Sequence, residues 1–275
     1  MIKLIAFDLD GTLLLDDHQT ISEEVRNALS LAARKGVMLV PATGRLPKIL
    51  PKPLMHMHGI DYAVCANGAL VYDLKTQEVL FSDKIAQKTA IEIMEVLNPH
   101  SLALHIFSGT ESYMDNIGID ILNKAGVEED IFAFIRSSQT IIPSLYDSVI
   151  NGELSISKVT LPVMEPHLQE SLWKQLEQIQ GIAITSSLPH NIEINSKNAN
   201  KALGLEKICD RLKIHPNEMM AIGDSLNDIE MIQFAGIGVA MGNADAAIQK
   251  KADFVTDTNQ NNGLAKAIEK FVLAK

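Results

Sequence analysis

Short apolar runs that stop on polar or turn residues, with helical patterns between them, fill both ends of this 275-residue chain. That alternation narrows the fold more than any other feature. Lys3-Leu4-Ile5-Ala6-Phe7 is a run of the kind buried in a parallel sheet, and it stops at Asp8-Leu9-Asp10-Gly11-Thr12. Residues 37–40 form a second run, ending at Pro41-Ala42-Thr43-Gly44-Arg45, and residues 62–65 a third, followed by Ala66-Asn67-Gly68. Between the first two, Ser22 can cap a helix over residues 23–35 whose Val25, Leu29, Ala32 and Ala33 share a stripe, and Gly36 ends it. The last third repeats the scheme. Residues 219–222 stop at Gly223-Asp224, residues 237–240 at Met241-Gly242-Asn243, residues 254–256 follow, and residues 264–271 make a closing helix. Strands separated by helices predict a doubly wound, mostly parallel sheet.

The middle third lacks the strand-carboxylate-glycine pattern. Its strand candidates are residues 103–107 and 157–161, and its helical patterns cover residues 89–97 and 166–178. The expectation is an α/β core built from residues 1–82 and 191–275, interrupted by an inserted α+β domain over residues 83–190. Hydrophobic and charged contents of 47% and 21% are globular and argue against disorder. A net charge of −10 disfavours nucleic acid and anionic membranes as main partners, but leaves room for a small anionic substrate. Cys65 and Cys209 lack metal-type spacing and read as buried thiols in a reducing compartment. Neither a leader-type apolar region nor a membrane-length span is evident, so a cytoplasmic location is expected. His56 and His58 straddle Met57 with no third ligand patterned nearby, Trp173 and the eleven methionines read as packing, and Gly238 and Gly242 as a close-packed strand end.

Ligand crevices of open α/β sheets lie outside the carboxyl ends of their strands. Asp8 and Asp10 would project there, where adjacent carboxylates repel unless a hard divalent cation joins them. One such carboxylate can attack phosphorus; the other can protonate the leaving oxygen and later deprotonate water. Thr43 and Gly44 offer a hydroxyl and an accessible backbone amide to phosphate oxygens, while Arg45 equally fits a surface cation. Lys197 and Lys201 are candidates for the positive charge such a transfer needs. In Gly223-Asp224-Ser225-Leu226-Asn227-Asp228, Asp224 would reach the crevice edge of Asp8. Asp228 lies four residues on, where it fits a metal site or a helix cap.

Together these clusters resemble the haloacid dehalogenase-like phosphohydrolases, in particular the Cof-type branch with a large α/β cap. Phe7-Asp8-Leu9-Asp10-Gly11-Thr12-Leu13 is similar to the first family motif and Ala42-Thr43-Gly44-Arg45 to the second. Lys201 is similar to the third, and Gly223-Asp224-Ser225-Leu226-Asn227-Asp228 to the fourth. Further similarity lies in Ala66-Asn67-Gly68-Ala69, Ile192-Glu193-Ile194 and Val239-Ala240-Met241-Gly242-Asn243-Ala244. The resemblance implies Asp8 as nucleophile and Asp10 as acid/base. It implies Mg²⁺ held by Asp8, the Asp10 carbonyl and Asp224, with Asp228 supporting from behind. Phosphate would be held near the Leu9 amide and by Thr43, Gly44, Lys201 and Asn227. Family members usually have Lys-Gly at the third motif; here Ala202 follows Lys201 and glycine returns at Gly204, and Lys201 is expected to keep its role, with Lys197 as the alternative lysine. The implied activity is hydrolysis of a small phosphate monoester through an aspartyl-phosphate, with the Asp10 pKa tuned above that of Asp8. The insertion would act as a cap that closes over the substrate and controls access, with His105, Tyr113 and His190 as polar candidates. The expected partner is a small phosphorylated metabolite: a sugar, nucleotide-derived or cofactor phosphate. A phosphomutase shares the aspartyl-phosphate. A phosphoacceptor switch or sugar-phosphate-binding module without turnover shares the acids and the lysine.

Overall fold

A computed structural model describes residues 1–125, 129–187 and 190–274. The opening segment contains strands β1 (Leu4–Phe7), β2 (Met38–Pro41), β3 (Tyr62–Cys65), β4 (Leu70–Asp73) and β5 (Glu78–Ser82). The middle segment contains β6 (His105–Ser108), β7 (Glu111–Asp115), β8 (Thr140–Ile142), β9 (Lys158–Pro162), β10 (Ile182–Thr185) and β11 (Asn191–Ser196). The closing segment adds β12 (Met219–Gly223), β13 (Ile237–Ala240) and β14 (Phe254–Val255). The chain divides into two compact units, Met1–Phe81 with Asn200–Lys275, and Ser82–Ala199.

In the first unit, a five-stranded sheet runs β14-β13-β12-β1-β2, with every neighbouring pair parallel. Every residue of β1 and β12 is buried. Strands this apolar need cover on both faces, which the helices provide. Leu4, Ala6, Met219 and Ala221 pack with Leu205, Ile208 and Cys209 of the helix Lys201–Leu212 and with Met231 of the helix Ile229–Phe234. The helix Glu23–Arg34 starts where expected, the Ser22 hydroxyl accepting from the Val25 amide at 3.3 Å, and packs against the helix Gly263–Ile268. From β1 the chain moves to β2 on one side, and it later returns to place β12 on the other. The order therefore reverses between β1 and β12, and a ligand crevice is expected at their carboxyl ends.

β3 departs from the expected parallel continuation. It pairs antiparallel with β4 in a separate three-stranded sheet, β3-β4-β5, and keeps to the β2 side one isolated parallel bridge, from Ala42 just after β2 to Val64. Proline is the cause. On the β3 side, Leu39 donates to the Gly59 carbonyl (2.9 Å) and Thr43 to the Val64 carbonyl (2.8 Å). Pro41, between them, has no N–H to give, so the ladder is broken at its middle.

The second unit is an α+β arrangement. Its six-stranded sheet runs β10-β11-β9-β6-β7-β8, and the helices Gln87–Leu97, Leu145–Ile150 and Pro166–Leu176 bury an apolar cluster that includes Ile106, Val159, Leu161, Ile192 and Ile194. Residues 191–199, expected in the core, belong here instead. β11 pairs antiparallel with β9 and β10, and alternate residues of Ile192-Glu193-Ile194 feed this cluster. Tyr113 packs against the same apolar cluster. Cys65 and Cys209 are buried and unbridged, and burial raises both thiols, Cys209 to about 11. Among the described residues no helix is long and apolar enough to cross a membrane.

Candidate active site

The carboxyl ends of β1, β2 and β12 deliver the polar residues singled out above. Asp8 follows β1 directly, its amide still paired to the Ile222 carbonyl of β12 at 3.0 Å. Asp224 follows β12, and Thr43 follows β2. Gly11 turns the first loop with φ of 76°, and a Cβ there would sit 2.4 Å from an Asp224 carboxylate oxygen. Glycine is what allows this loop to lie against Asp224. Thr12 fixes the same carboxylate, its hydroxyl donating to Asp224 Oδ1 at 2.8 Å. Asn243, after β13, braces the loop from outside by donating to the Gly11 carbonyl at 2.9 Å.

Lys201 is the centre of the cluster. Asn200 caps its helix by accepting from the Leu203 amide at 2.9 Å, which leaves Lys201 as the first helical residue. The lysine is fully buried and its Nζ donates to Asp8 Oδ1 at 2.7 Å and to Asp228 Oδ1 at 2.6 Å. The other Asp228 oxygen accepts from the Asp224 and Ser225 amides, each at 2.9 Å. Of the two readings open for Asp228, a metal site and a helix cap, these contacts carry the cap; its role as counter-charge to Lys201 was not foreseen. Lys197 is exposed and lies in the second unit; Lys201 is the lysine bonded to Asp8. The displaced glycine has a role of its own: a Cβ at Gly204 would lie 2.5 Å from Val64, so this helix packs tightly onto β3.

Asp8, Asp224 and Asp228 present carboxylate oxygens within 4.8 Å of one another. With one lysine among three acids, the ionised cluster carries two surplus negative charges, which a divalent cation would balance. Burial pushes Asp8 well above the usual carboxylate range; Lys201 opposes this, and Asp228, Asp224 and Asp10 add to it. Burial, then Asp228, pushes Asp224 up to about 7. The Lys201 ammonium is raised: burial works against its charge, but Asp228 and Asp8 outweigh it. Both Asp228 oxygens are committed to Lys201 and to backbone amides, so the donors that fit a hard cation are those of Asp8 and Asp224.

Asp10 turns away from this cluster. Its carboxylate accepts from Arg45 Nε at 2.9 Å and from Arg45 Nη2, and His18 Nδ1 lies 2.9 Å from Oδ1. Burial favours the neutral acid, but the Arg45 hydrogen bonds and charge, aided by His18, outweigh it and hold Asp10 below the usual range. The expected order of the two pKa values is thus reversed, because the cation beside Asp10 is a permanently charged guanidinium, whereas Asp8 sits among acids. Arg45 is a partner of Asp10 and not a free surface cation.

Thr43 is buried and its Oγ1 accepts from the Arg45 amide at 3.2 Å, which leaves the hydroxyl hydrogen to donate elsewhere. Gly44 lies in the same turn. Leu9 follows Asp8 and is buried, its carbonyl taking the Leu14 amide at 2.9 Å. Asn227 is buried and donates through Nδ2 to Asn67 Oδ1 at 3.0 Å. Residue-by-residue reading assigned no role to His18, Asn67 or Asn243. Asn67 and Asn243 were marked by their places at strand ends and by the family resemblance of Ala66-Asn67-Gly68-Ala69 and Val239-Ala240-Met241-Gly242-Asn243-Ala244.

A sequence model of the haloacid dehalogenase-like hydrolase family matches residues 5–268. The chain belongs to that family. Within it, the chain is a phosphatase of the Cof type. It is 33% identical, over 99% of its length and 96% of the relative's, to 5-amino-6-(5-phospho-D-ribitylamino)uracil phosphatase YcsE of Bacillus subtilis. Among solved structures it is similar to a haloacid dehalogenase-like hydrolase from B. subtilis, with a TM-score of 0.83 and 30% identity over 98% of this chain and all of that one. It is similar also to the subclass IIB sugar phosphatase BT4131, with a TM-score of 0.83 and 25% identity over 98% of each chain.

Proposed function

We propose that this phosphatase hydrolyses small phosphate monoesters with the help of Mg²⁺, through a phosphoryl group carried transiently on Asp8. The observation that carries the reading is the buried Lys201 ammonium joined to Asp8 and Asp228, with Asp224 in the same cluster. Asp8, Asp224 and the main-chain carbonyl of Asp10 would hold the cation, and Asp228 would orient it from behind. When bound, Mg²⁺ offsets the repulsion between the Asp8 carboxylate and an approaching phosphate.

The protein's own groups then divide the work. Lys201, the Thr43 hydroxyl, the Gly44 and Leu9 amides and the Asn227 amide bind the phosphate oxygens and spread the charge that develops on them. An Asp8 oxygen attacks phosphorus as the bond to the ester oxygen breaks. That oxygen takes its proton from Asp10 and leaves as an alcohol. Water then attacks the phosphorus, gives its proton to Asp10, and restores Asp8 with release of orthophosphate. For Asp10 to carry that proton, Arg45 and His18 must loosen their hold on its carboxylate.

Selection among esters is assigned to the second unit, acting as a cap. Its sheet carries a buried ion pair, Lys158 Nζ to Glu193 Oε1 at 3.0 Å, which Ser187 joins by donating to Glu193 at 2.7 Å. His105 on the neighbouring β6 is kept neutral there, burial and Lys158 lowering its pKa to about 4. A polar leaving group such as a sugar or a ribityl chain is proposed from the substrates named for the relatives above. The test is phosphate release from a panel of esters with Mg²⁺ and with chelator. Asp8→Asn is expected to lower turnover by at least about a thousandfold while the protein stays folded by circular dichroism. Ordinary turnover by that variant would remove Asp8 from the mechanism.

A further inference from the structure

We infer that Asn67 is a positioning residue, whose side chain fixes the Asn227 amide so that it presents N–H to a phosphate oxygen. The inference rests on the reading of Asn227 as a phosphate ligand and extends it to a residue from another part of the chain.

The turn Ala66-Asn67-Gly68 touches three of the segments that build the site. The Asn67 amide donates to the Thr43 carbonyl and the Ala66 amide to the Arg45 carbonyl, both at 3.0 Å. Gly68 lies against the Asn200 carbonyl, where a Cβ would sit 1.9 Å from the oxygen, immediately before Lys201. The Asn67 side chain then reaches Asn227 beside Asp228, with both asparagines buried. The backbone is held in an unusual state: φ is 50° at Ala66, 58° at Asn67 and 96° at Gly68. Asparagine is one of the few residues other than glycine that adopt this region readily. Glycine would meet the backbone requirement as well. What glycine cannot provide is the acceptor for Asn227.

That acceptor decides which way the Asn227 amide faces. Nδ2 carries two hydrogens, and the bond to Asn67 uses one. The second Nδ2 hydrogen is the one left for a phosphate oxygen; Asn227 Oδ1, buried and without a partner among the described residues, is an acceptor and takes no part in that contact. Without Asn67 the amide is free to turn over and set its oxygen lone pairs against a phosphate oxygen, which repels them.

The experiment is a double-mutant cycle on the Mg²⁺-loaded protein, with p-nitrophenyl phosphate as substrate and orthophosphate as competitive inhibitor. Asn67→Gly keeps the backbone conformation and removes the acceptor. It is expected to raise the orthophosphate Ki and the KM together by about five- to tenfold, with kcat changed less than about twofold. In an Asn227→Ala background the same change is expected to add less than about twofold. A wild-type Ki for Asn67→Gly, or an undiminished effect in the Asn227→Ala background, overturns the inference. An unchanged Ki for Asn227→Ala alone overturns the earlier reading of Asn227 itself. Should Asn67→Gly fail to fold, Asn67→Ala is read in the same way, since Ala66 already accepts a left-handed backbone next door.

Discussion

Asp8 and Asp10 stand two positions apart, yet one lies among acids with a lysine and the other under a guanidinium. Lys201 is what makes the first environment tolerable. Its replacement by methionine leaves Asp8 and Asp228 buried with no cation between them. That is expected to cost about 3–5 kcal/mol, read as a lower urea midpoint in chelator. Mg²⁺ is expected to restore part of it by taking the place of the missing charge. At Asp10 the decisive neighbour is Arg45. A general acid must be protonated to act, so activity falls as pH rises through its pKa. Arg45→Met removes the group that holds this pKa down, so the basic limb of the kcat/KM profile is expected to move to higher pH. A basic limb that stays in place would assign the leaving-group proton to another residue.

The turns after the strands set the spacing of the site, and they do so with glycine where other residues would collide. Gly11→Ala puts a methyl 2.4 Å from the Asp224 carboxylate in a backbone region that alanine resists. The expected outcome is a loss of about 3 kcal/mol of stability, measured by chemical denaturation, together with weaker Mg²⁺ activation. At this scale the sequence was legible wherever the signal was local. The apolar runs, the Ser22 cap and the polar residues after β1, β2 and β12 could be read from neighbouring residues alone. Features that depend on distant partners could not. That Pro41 would stop β2 from pairing fully with β3 follows from its missing N–H only once the flanking donors, Leu39 and Thr43, are seen to face β3. The attachment of β11 to the second sheet rests on pairing with β9 and β10, and nothing within Ile192-Glu193-Ile194 encodes its partner. The partners of Arg45 and Asn67 were equally hidden, because charge and hydrogen-bonding capacity do not say what they will meet.

The first unit as a whole holds acid groups with opposite pH dependence. Asp224, pushed up to about 7, and Asp8, raised likewise, bind protons more tightly folded than unfolded. The Asp224 contribution to stability is therefore lost as pH rises from about 4 to 7 in the absence of metal, and that of Asp8 is lost in the same direction. Asp10, with a lowered pKa, acts in the other direction, and its contribution is lost only as pH falls below about 4. Thermal melts in chelator are thus expected to show Tm falling between pH 5 and about 7.5, and Mg²⁺ is expected to raise Tm most at the upper end, where no proton competes for the carboxylates. A Tm in chelator that climbs across that interval would count against a metal-free acid cluster under strain. The sheet order has one more consequence. β1 leaves the ribosome before β12, yet its Leu4 pairs with Met219 of β12, and Asp8 acquires Lys201 only after the entire middle segment has been translated. A nascent polypeptide therefore carries its proposed nucleophile before Lys201 and β12 exist to surround it. Release of a prematurely terminated product yields a chain in which β1 lacks its β12 partner and offers an unpaired edge.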